Sequence, residues 1–362
     1  MKNRGVGWTF LTGVWAGLAA AVPVAHALIL YPSADPAFNT TPPTGPLVGS
    51  GWQYAGFFNN FTGFPISEDS FLVSKHVVGG LHLNGFGGGL FTYQGITYST
   101  VGRYDEPGGA DLTVLKINPL APAGPFPSWA PLYRRNDEAG KNFVVLGRGV
   151  IRGAPVDIAP TATTALSPNG TFRGWRWAAD AGPLRWGENT VDFIVSDPLG
   201  GQFLFSSLTS PSAGGLANEA SLAINDSSGA VFIQDPVDGI WKLAGMNLGV
   251  DASFSLTPGG LAVNMGLIDA GGLYDGVNQL QDTTDYDLVF GNDYQVYTGA
   301  NDPVSHLVGN FHPRIANPLV LEWLDAVTVP EGSTGAGFGM AGAALGWLVL
   351  GSRGRRGGNS RQ

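Results

Sequence analysis

The decapeptide AINDSSGAVF, residues 223–232, places Asp226 ahead of two adjacent serines, Ser227 and Ser228, with an apolar run close behind. Asn, Asp, Ser and Gly collect in turns for backbone reasons, so the stretch reads either as a plain turn or as a turn that presents a nucleophilic hydroxyl. A serine attacks a carbonyl when a neighbouring base accepts its proton and a third group orients that base. Candidates for both stand upstream. His76 lies in FLVSKHVVGG, where large apolar residues run into an imidazole and small residues follow. That puts a base where a buried strand meets a loop, on a rigid support. Asp111 opens DLTVLKI. A carboxylate at the head of so apolar a strand is partly desolvated and needs a donor, which an imidazole N–H supplies. Each residue has a plainer reading: a structural strand-end histidine, and an aspartate capping the EPGGA loop. Asp105, in RYDEPGG, is the rival acid.

The elements that must hold these groups read as strands. Short apolar runs recur between turn residues, among them GWQYAGFF, GITYSTVG, NFVVLGRGV, NTVDFIVS, GQFLFSS and WKLAGMNLGV. Several alternate as half-buried antiparallel strands do. In DLTVLKI the alternation puts Leu112, Val114 and Lys116 on one face, and Thr113, Leu115 and Ile117 on the other. Helical period enters late, in PRIANPLVLEWLDAVT, where Leu319, Trp323, Ala326 and Val327 can line one side. Many strands closed by one helix predict an all-β barrel domain or a pair of barrels. An adhesin-like β-sandwich is the unrelated alternative. Residues 32–50 are rich in Pro, Thr and Ser, so residues 28–50 read as an extended leader.

The order His76, Asp111, Ser227 is that of chymotrypsin-like proteases, as opposed to subtilisin-like or α/β-hydrolase enzymes. Five segments in the right order resemble that family. FLVSKHVVG resembles VLTAAHC, and ADLTVLKI resembles DLALLKL. GKNFVVLGRGV is similar to the strand that ends in GWG and opens the second barrel. INDSSGAVF resembles GDSGGPVF, and KLAGMNLGV resembles LVGIVSWG. LVLEWLDAV fits the family's closing helix. Residues 51–328 thus resemble a trypsin-like serine protease domain: a double β-barrel of chymotrypsin/trypsin type with a C-terminal helix, its barrel boundary near 135–155.

The resemblance implies roles. Ser227 is the nucleophile, His76 the general base and acid, and Asp111 the group that fixes the His76 tautomer. The amides of Asn225 and Ser227 form the oxyanion hole. Ser221, six residues before the nucleophile, floors the primary pocket, and Leu248, Gly249 and Val250 line it. The substrate is a polypeptide with an apolar or small side chain at the cleavage site; no cofactor or metal is implied. Three departures stand out. Asn225 replaces a glycine. Ser228 and Ala230 replace a glycine and a proline, so either serine could be the nucleophile. No Ile-Val-Gly-Gly-type start is found, although in zymogen-activated relatives a freshly cut amine pairs with the aspartate before the serine. Val48-Gly49 is the nearest string and lies too close to His76. Asp226 then needs another donor, and the enzyme is expected to need no activation cut. The same departures leave open a catalytically inactive trypsin-fold binding or matrix protein.

The ends read as addresses. MKNRGVGWTFLTGVWAGLAAAVPVAHA has a basic start, an apolar stretch and Ala25-His26-Ala27, a signal peptide cut after Ala27 by signal peptidase. At the other end, Val329-Pro330-Glu331, an uncharged run over 335–351 and an arginine-rich tail resemble a PEP-CTERM sorting signal of Gram-negative bacteria, with Gly332 departing from its second proline. That implies transient membrane anchoring through the run, an exosortase-type processing enzyme, and release to the cell surface or matrix. The 362 residues include no cysteine, which excludes thiol catalysis and disulfides, and 13% are charged. Setting aside the six basic residues at the ends leaves 13 basic against 28 acidic groups. So acidic a body repels phosphate backbones, and nucleic acid is not expected as a partner. Two further stretches carry weaker signals. FRGWRWAADAGPLRWGENTV reads as arginine packed over indole more readily than as a sugar or polyanion platform. Asp282, Asp285, Asp287 and Asp293 read as a solvated acidic loop more readily than as a calcium site.

Overall fold

The computed structural model describes residues 28–78, 89–158, 171–197, 201–255, 263–270, 273–275 and 308–328. Both terminal signals, His82, His306 and the 282–293 aspartates lie outside them. Among the described residues no helix is long and apolar enough to cross a membrane.

The protein is all-β, of double-barrel type. A short strand, β1 (Ile29–Leu30), comes first. Then β2 (Gly56–Phe58), β3 (Phe61–Pro65), β4 (Ser70–Ser74), β5 (Leu90–Tyr93), β6 (Ile96–Asp105) and β7 (Leu112–Ile117) close a barrel in the order β2-β3-β4-β7-β6-β5. A single helical turn, α1 (Lys75–Val78), leaves the end of β4. The second half contains β8 (Asn142–Gly147), β9 (Val150–Ile158), β10 (Thr171–Ala181), β11 (Arg185–Thr190), β12 (Phe193–Ser196), β13 (Gln202–Ser206) and β14 (Ala220–Ser221). After these come β15 (Ala230–Gln234), β16 (Trp241–Met246), β17 (Gly249–Val250), β18 (Ser253–Ser255), β19 (Val263–Leu267), β20 (Tyr274–Asp275) and β21 (Asn310–Pro313). Two four-stranded sheets, β11-β8-β15-β16 and β12-β13-β21-β17, meet at a bridge between Gly245 and Arg314 and enclose the second core. The helix α2 (Pro318–Thr328) ends the described chain.

Alternation explains the layers. On β7, Leu112 and Val114 point one way and Leu115 and Ile117 the other, as the pattern predicts. Leu115 and Ile117 enter the first barrel, where Phe71 stacks on Phe91 with centroids 4.0 Å apart and both rings meet Phe126 edge-on. Leu112 and Val114 face outward into a layer shared with Val144, Leu146 and Phe232 of the second half and with Val320 and Leu324 of α2. Strands β4, β8 and β15 likewise bury both faces, which is why their sequences run continuously apolar. Each such side chain contributes about 1.5–3 kcal/mol relative to exposure.

Three sequence expectations change. The helix register is shifted: Leu319 is 57% exposed and Ala326 is exposed, while Val320 and Leu324 are the buried seam, flanked by Trp323 and Val327. The Asn317 side chain accepts the Leu319 amide and sets that start. The expected leader begins as core. Leu28, Ile29 and Leu30 are fully buried, and β1 pairs with β14 in the register Ile29–Ser221, Leu30–Ala220. Finally, β9 and β10 leave the barrel and form a five-stranded sheet, β20-β18-β19-β10-β9. Arginine does pack over indole there, but the pair is Arg152 of β9 over Trp175 of β10, 4.5 Å from the ring.

Candidate active site

His76 sits on α1, immediately beyond the strand end that the apolar run FLVS builds. Asp111 precedes β7, the neighbour of β4, so sheet pairing brings the two together. The Asp111 carboxylate grips His76 twice: Oδ1 accepts the His76 backbone amide at 2.8 Å, and Oδ2 meets Nδ1 at 2.5 Å. The Lys75 amide adds a bond to the Asp111 carbonyl at 3.1 Å. With both carboxylate oxygens acting as acceptors, the proton of this contact sits on Nδ1 and Nε2 is left as the outward nitrogen. Nε2 has no protein partner among the described residues, and the imidazole is partly open to solvent. The rival acid, Asp105, bonds Arg103 and Thr113 instead.

The two serines differ. Ser228 is fully buried, its hydroxyl donating to the Thr62 carbonyl at 2.8 Å and accepting the Ser74 amide at 3.0 Å. Ser227 is half-buried, and its hydroxyl has no partner among the described residues. The Ser228 bonds tie this loop to the first barrel. Thr62 Oγ1 also donates to the Ser228 carbonyl at 2.6 Å, and Ser74 Oγ donates to the Asn247 carbonyl at 3.0 Å. Ser74 lies two residues before His76, and Ser228 one after Ser227, so this cross-link joins the two segments that carry them. Ser228→Ala removes a buried donor and leaves the Ser74 amide without an acceptor. We expect it to cost about 1–3 kcal/mol in urea denaturation.

The amides of Asp226, Ser228 and Gly229 are spent inside the loop, on Ala223, Asn247 and Asp226 carbonyls. Those of Asn225 and Ser227 have no acceptor among the described residues. Asn225 adopts φ 71° and Ser228 φ 62°, the left-handed region that glycine enters freely and Asn tolerates best of the other residues. Gly229 is obligatory for a steric reason: a Cβ there would meet the Leu146 carbonyl at 2.1 Å.

Asn247 is a hub that sequence reasoning missed. Its side-chain amide donates to the carbonyls of Leu146 at 2.9 Å and Asp226 at 3.1 Å, and its Oδ1 lies 3.0 Å from His312 Nδ1. Burial pushes His312 down to about 3, so it stays neutral and structural. Asp226 is buried and accepts the amides of Gly149 at 2.6 Å and Ala223 at 2.8 Å, with those of Arg148 and Leu28. Desolvation outweighs these bonds and pushes its carboxyl up to about 7. The missing donors are therefore backbone amides, Gly149 and Ala223 foremost.

Of the expected pocket residues, Ser221 is buried, with its hydroxyl on Asn310 Oδ1 at 2.8 Å. Leu248, Gly249 and Val250 are half-buried, and β17 pairs with β21. Among the described residues no cluster of His, Asp or Glu suits a metal ion.

No family model matches the chain, and no curated protein matches it. Among solved structures, an inactive serine-to-alanine form of Rv3671c from M. tuberculosis H37Rv is similar over 87% of this chain and 99% of that one, at 13% identity and a TM-score of 0.39.

Proposed function

We propose that this chain is an exported serine endopeptidase that cleaves peptide bonds through an acyl-enzyme. The observation that supports the reading is the Asp111–His76 pair, on a segment that the Ser74–Ser228 bond ties to the loop carrying the unpartnered Ser227 hydroxyl and the unspent amides of Asn225 and Ser227. Ser227 Oγ attacks the scissile carbonyl as His76 Nε2 takes its proton. The oxyanion settles on the amides of Asn225 and Ser227, each worth roughly 3 kcal/mol in the transition state. His76 then passes the proton to the leaving amine, and the C–N bond breaks. Water, deprotonated by the same nitrogen, hydrolyses the Ser227 ester and releases the acid product. A neutral pocket floor at Ser221 favours apolar or small side chains over Arg or Lys. Supporting residues 1–27 as a signal peptide and 329–362 as a sorting signal, the terminal sequences assign the enzyme to the surface or matrix of a Gram-negative bacterium. An exosortase-type enzyme would process the tail.

The reading is tested with a fluorogenic peptide library and purified protein. Hydrolysis is expected in the parent and absent in Ser227→Ala at unchanged melting temperature. A well-folded parent that cleaves nothing supports the binding-module alternative.

A further inference from the structure

We infer that Arg148 is a specificity residue, its guanidinium taking a carboxylate of the polypeptide substrate at the seam beside the nucleophile loop. The inference rests on the protease reading and deepens it by naming a feature of the substrate. Arg148 stands between β8 and β9, and its own amide bonds the carboxylate of Asp226, the residue before Ser227. The next two residues continue the tie. The Gly149 amide reaches Asp226 Oδ1 at 2.6 Å, and the Val150 amide reaches the Ile224 carbonyl at 3.1 Å. From this anchored backbone the side chain turns to the first barrel. Nε donates to the Gly182 carbonyl at 3.1 Å and Nη1 to the Asn60 carbonyl at 3.4 Å, and the guanidinium carbon lies 4.9 Å from the centre of the Phe57 ring.

Charge leaves this group available. Arg103, Arg134, Arg135, Arg173 and Arg314 each face a carboxylate. Arg148 faces none among the described residues, in a chain with 28 acidic groups. Two of its five N–H donors are spent on neutral carbonyls; the others have no acceptor among the described residues, and the side chain is half-buried. Held by a ring and two carbonyls, the guanidinium is a preset fork of the kind that suits a carboxylate.

The barrel face beside it leaves room for a chain. Phe57 pairs with Thr62 of β3 and with Thr92 of β5, so the three side chains share the outer face of the barrel. Thr62 is covered by Ser228. On the other side of Phe57 the face opens into a cleft of about 390 Å³, lined by uncharged residues that include Trp52, Gln53, Thr92 and Gln94. One row therefore runs from the nucleophile loop, past Arg148 over Phe57, to an open neutral cleft. Strands lie about 4.8 Å apart and an extended peptide rises about 3.3 Å per residue, so the acidic residue falls within about three residues of the scissile bond. A purely structural Arg148 would bridge the same elements. A staple acts on every substrate alike, whereas a carboxylate receptor acts on one charge.

The test moves one Glu, or its uncharged isostere Gln, through each position of a fluorogenic peptide that the parent cleaves, at low and high salt. At one position near the cleaved bond, Glu is expected to raise kcat/KM about 10-fold over Gln. Salt should shrink that ratio, because a half-exposed pair is screened. Arg148→Met should bring the ratio to about one, and Arg148→Lys should restore part of it. A parent ratio near one at every position would overturn the inference, and it decides the matter even where Arg148→Met folds poorly. A ratio that Arg148→Met leaves unchanged, with Glu and Gln peptides slowed equally, would also overturn it and make Arg148 a staple. Should the parent cleave nothing, binding of dye-labelled nonapeptides of Ala, Thr and Tyr with one central Glu or Gln decides. Tighter Glu binding that Arg148→Met abolishes keeps the subsite and removes the protease reading; equal binding overturns the subsite as well.

Discussion

Replacing Asp111 with asparagine is expected to lower kcat by about 10⁴-fold while leaving the fold intact. The backbone decides this outcome. The His76 amide needs an acceptor and is met by Oδ1, which orients the new side chain with its carbonyl oxygen toward that amide. The asparagine NH₂ must then face Nδ1, where Oδ2 now accepts. Nδ1 becomes an acceptor, the ring proton moves to Nε2, and the nitrogen proposed as the base for Ser227 can no longer take a proton. His76→Ala should do comparable damage by removing the base outright. Steady-state kinetics against a cleaved peptide, with melting temperature as the control, checks both. An Asp111→Asn enzyme within tenfold of the parent would remove Asp111 from the mechanism.

The largest effect on stability is expected at Glu138. Its carboxylate receives Arg314 Nε at 2.7 Å and Nη2 at 2.8 Å, and both side chains are almost wholly buried. Arg314 Nη1 also reaches Gln202 at 2.7 Å, and Nη2 bonds Asn136. The cluster ties the chain between the barrels to the segment that leads into α2. Glu138→Ala strands a buried guanidinium, a change that costs about 3–5 kcal/mol. For a domain of this size the melting temperature should fall by about 10 °C. Glu138→Gln, which keeps the shape and one acceptor, should lose less. The exposed pair Arg134–Asp325 gives the contrast: two hydrogen bonds in solvent are worth about 1 kcal/mol or less, so Asp325→Ala should hardly move the transition.

What was legible in the sequence was whatever repeats along it. The two faces of Leu112–Ile117 follow from a period of two, and that alternation carries the barrel layers. His76 and Asp111 could be paired because a carboxylate heading an apolar strand needs a donor and because the order His76, Asp111, Ser227 resembles that of chymotrypsin-like proteases; the pairing of β4 with β7 came only with the fold. The features that escaped depend on distant closure. Nothing local to Leu28 announces that it meets Asp226; a Pro- and Thr-rich stretch follows it and reads as leader. Asn247 follows β16 as an ordinary turn asparagine does, and its role comes from the Leu146 and Asp226 carbonyls and the His312 imidazole, all brought from distant parts of the chain. The helix slipped by one residue because Leu319 is as apolar as Val320, and only the Asn317 cap separates them. Arg152 over Trp175 was missed because the pairing of β9 with β10, not the local Trp/Arg sequence, chooses the cation.

The central claim is that the Ser227 hydroxyl is activated. The most direct measurement is the intact mass of the purified protein after treatment with a fluorophosphonate, followed by peptide mapping. One adduct per chain, located on Ser227 and absent from His76→Ala, is the result this account predicts. A folded protein that acquires no adduct, or one modified on another residue and unaffected by His76→Ala, would contradict it.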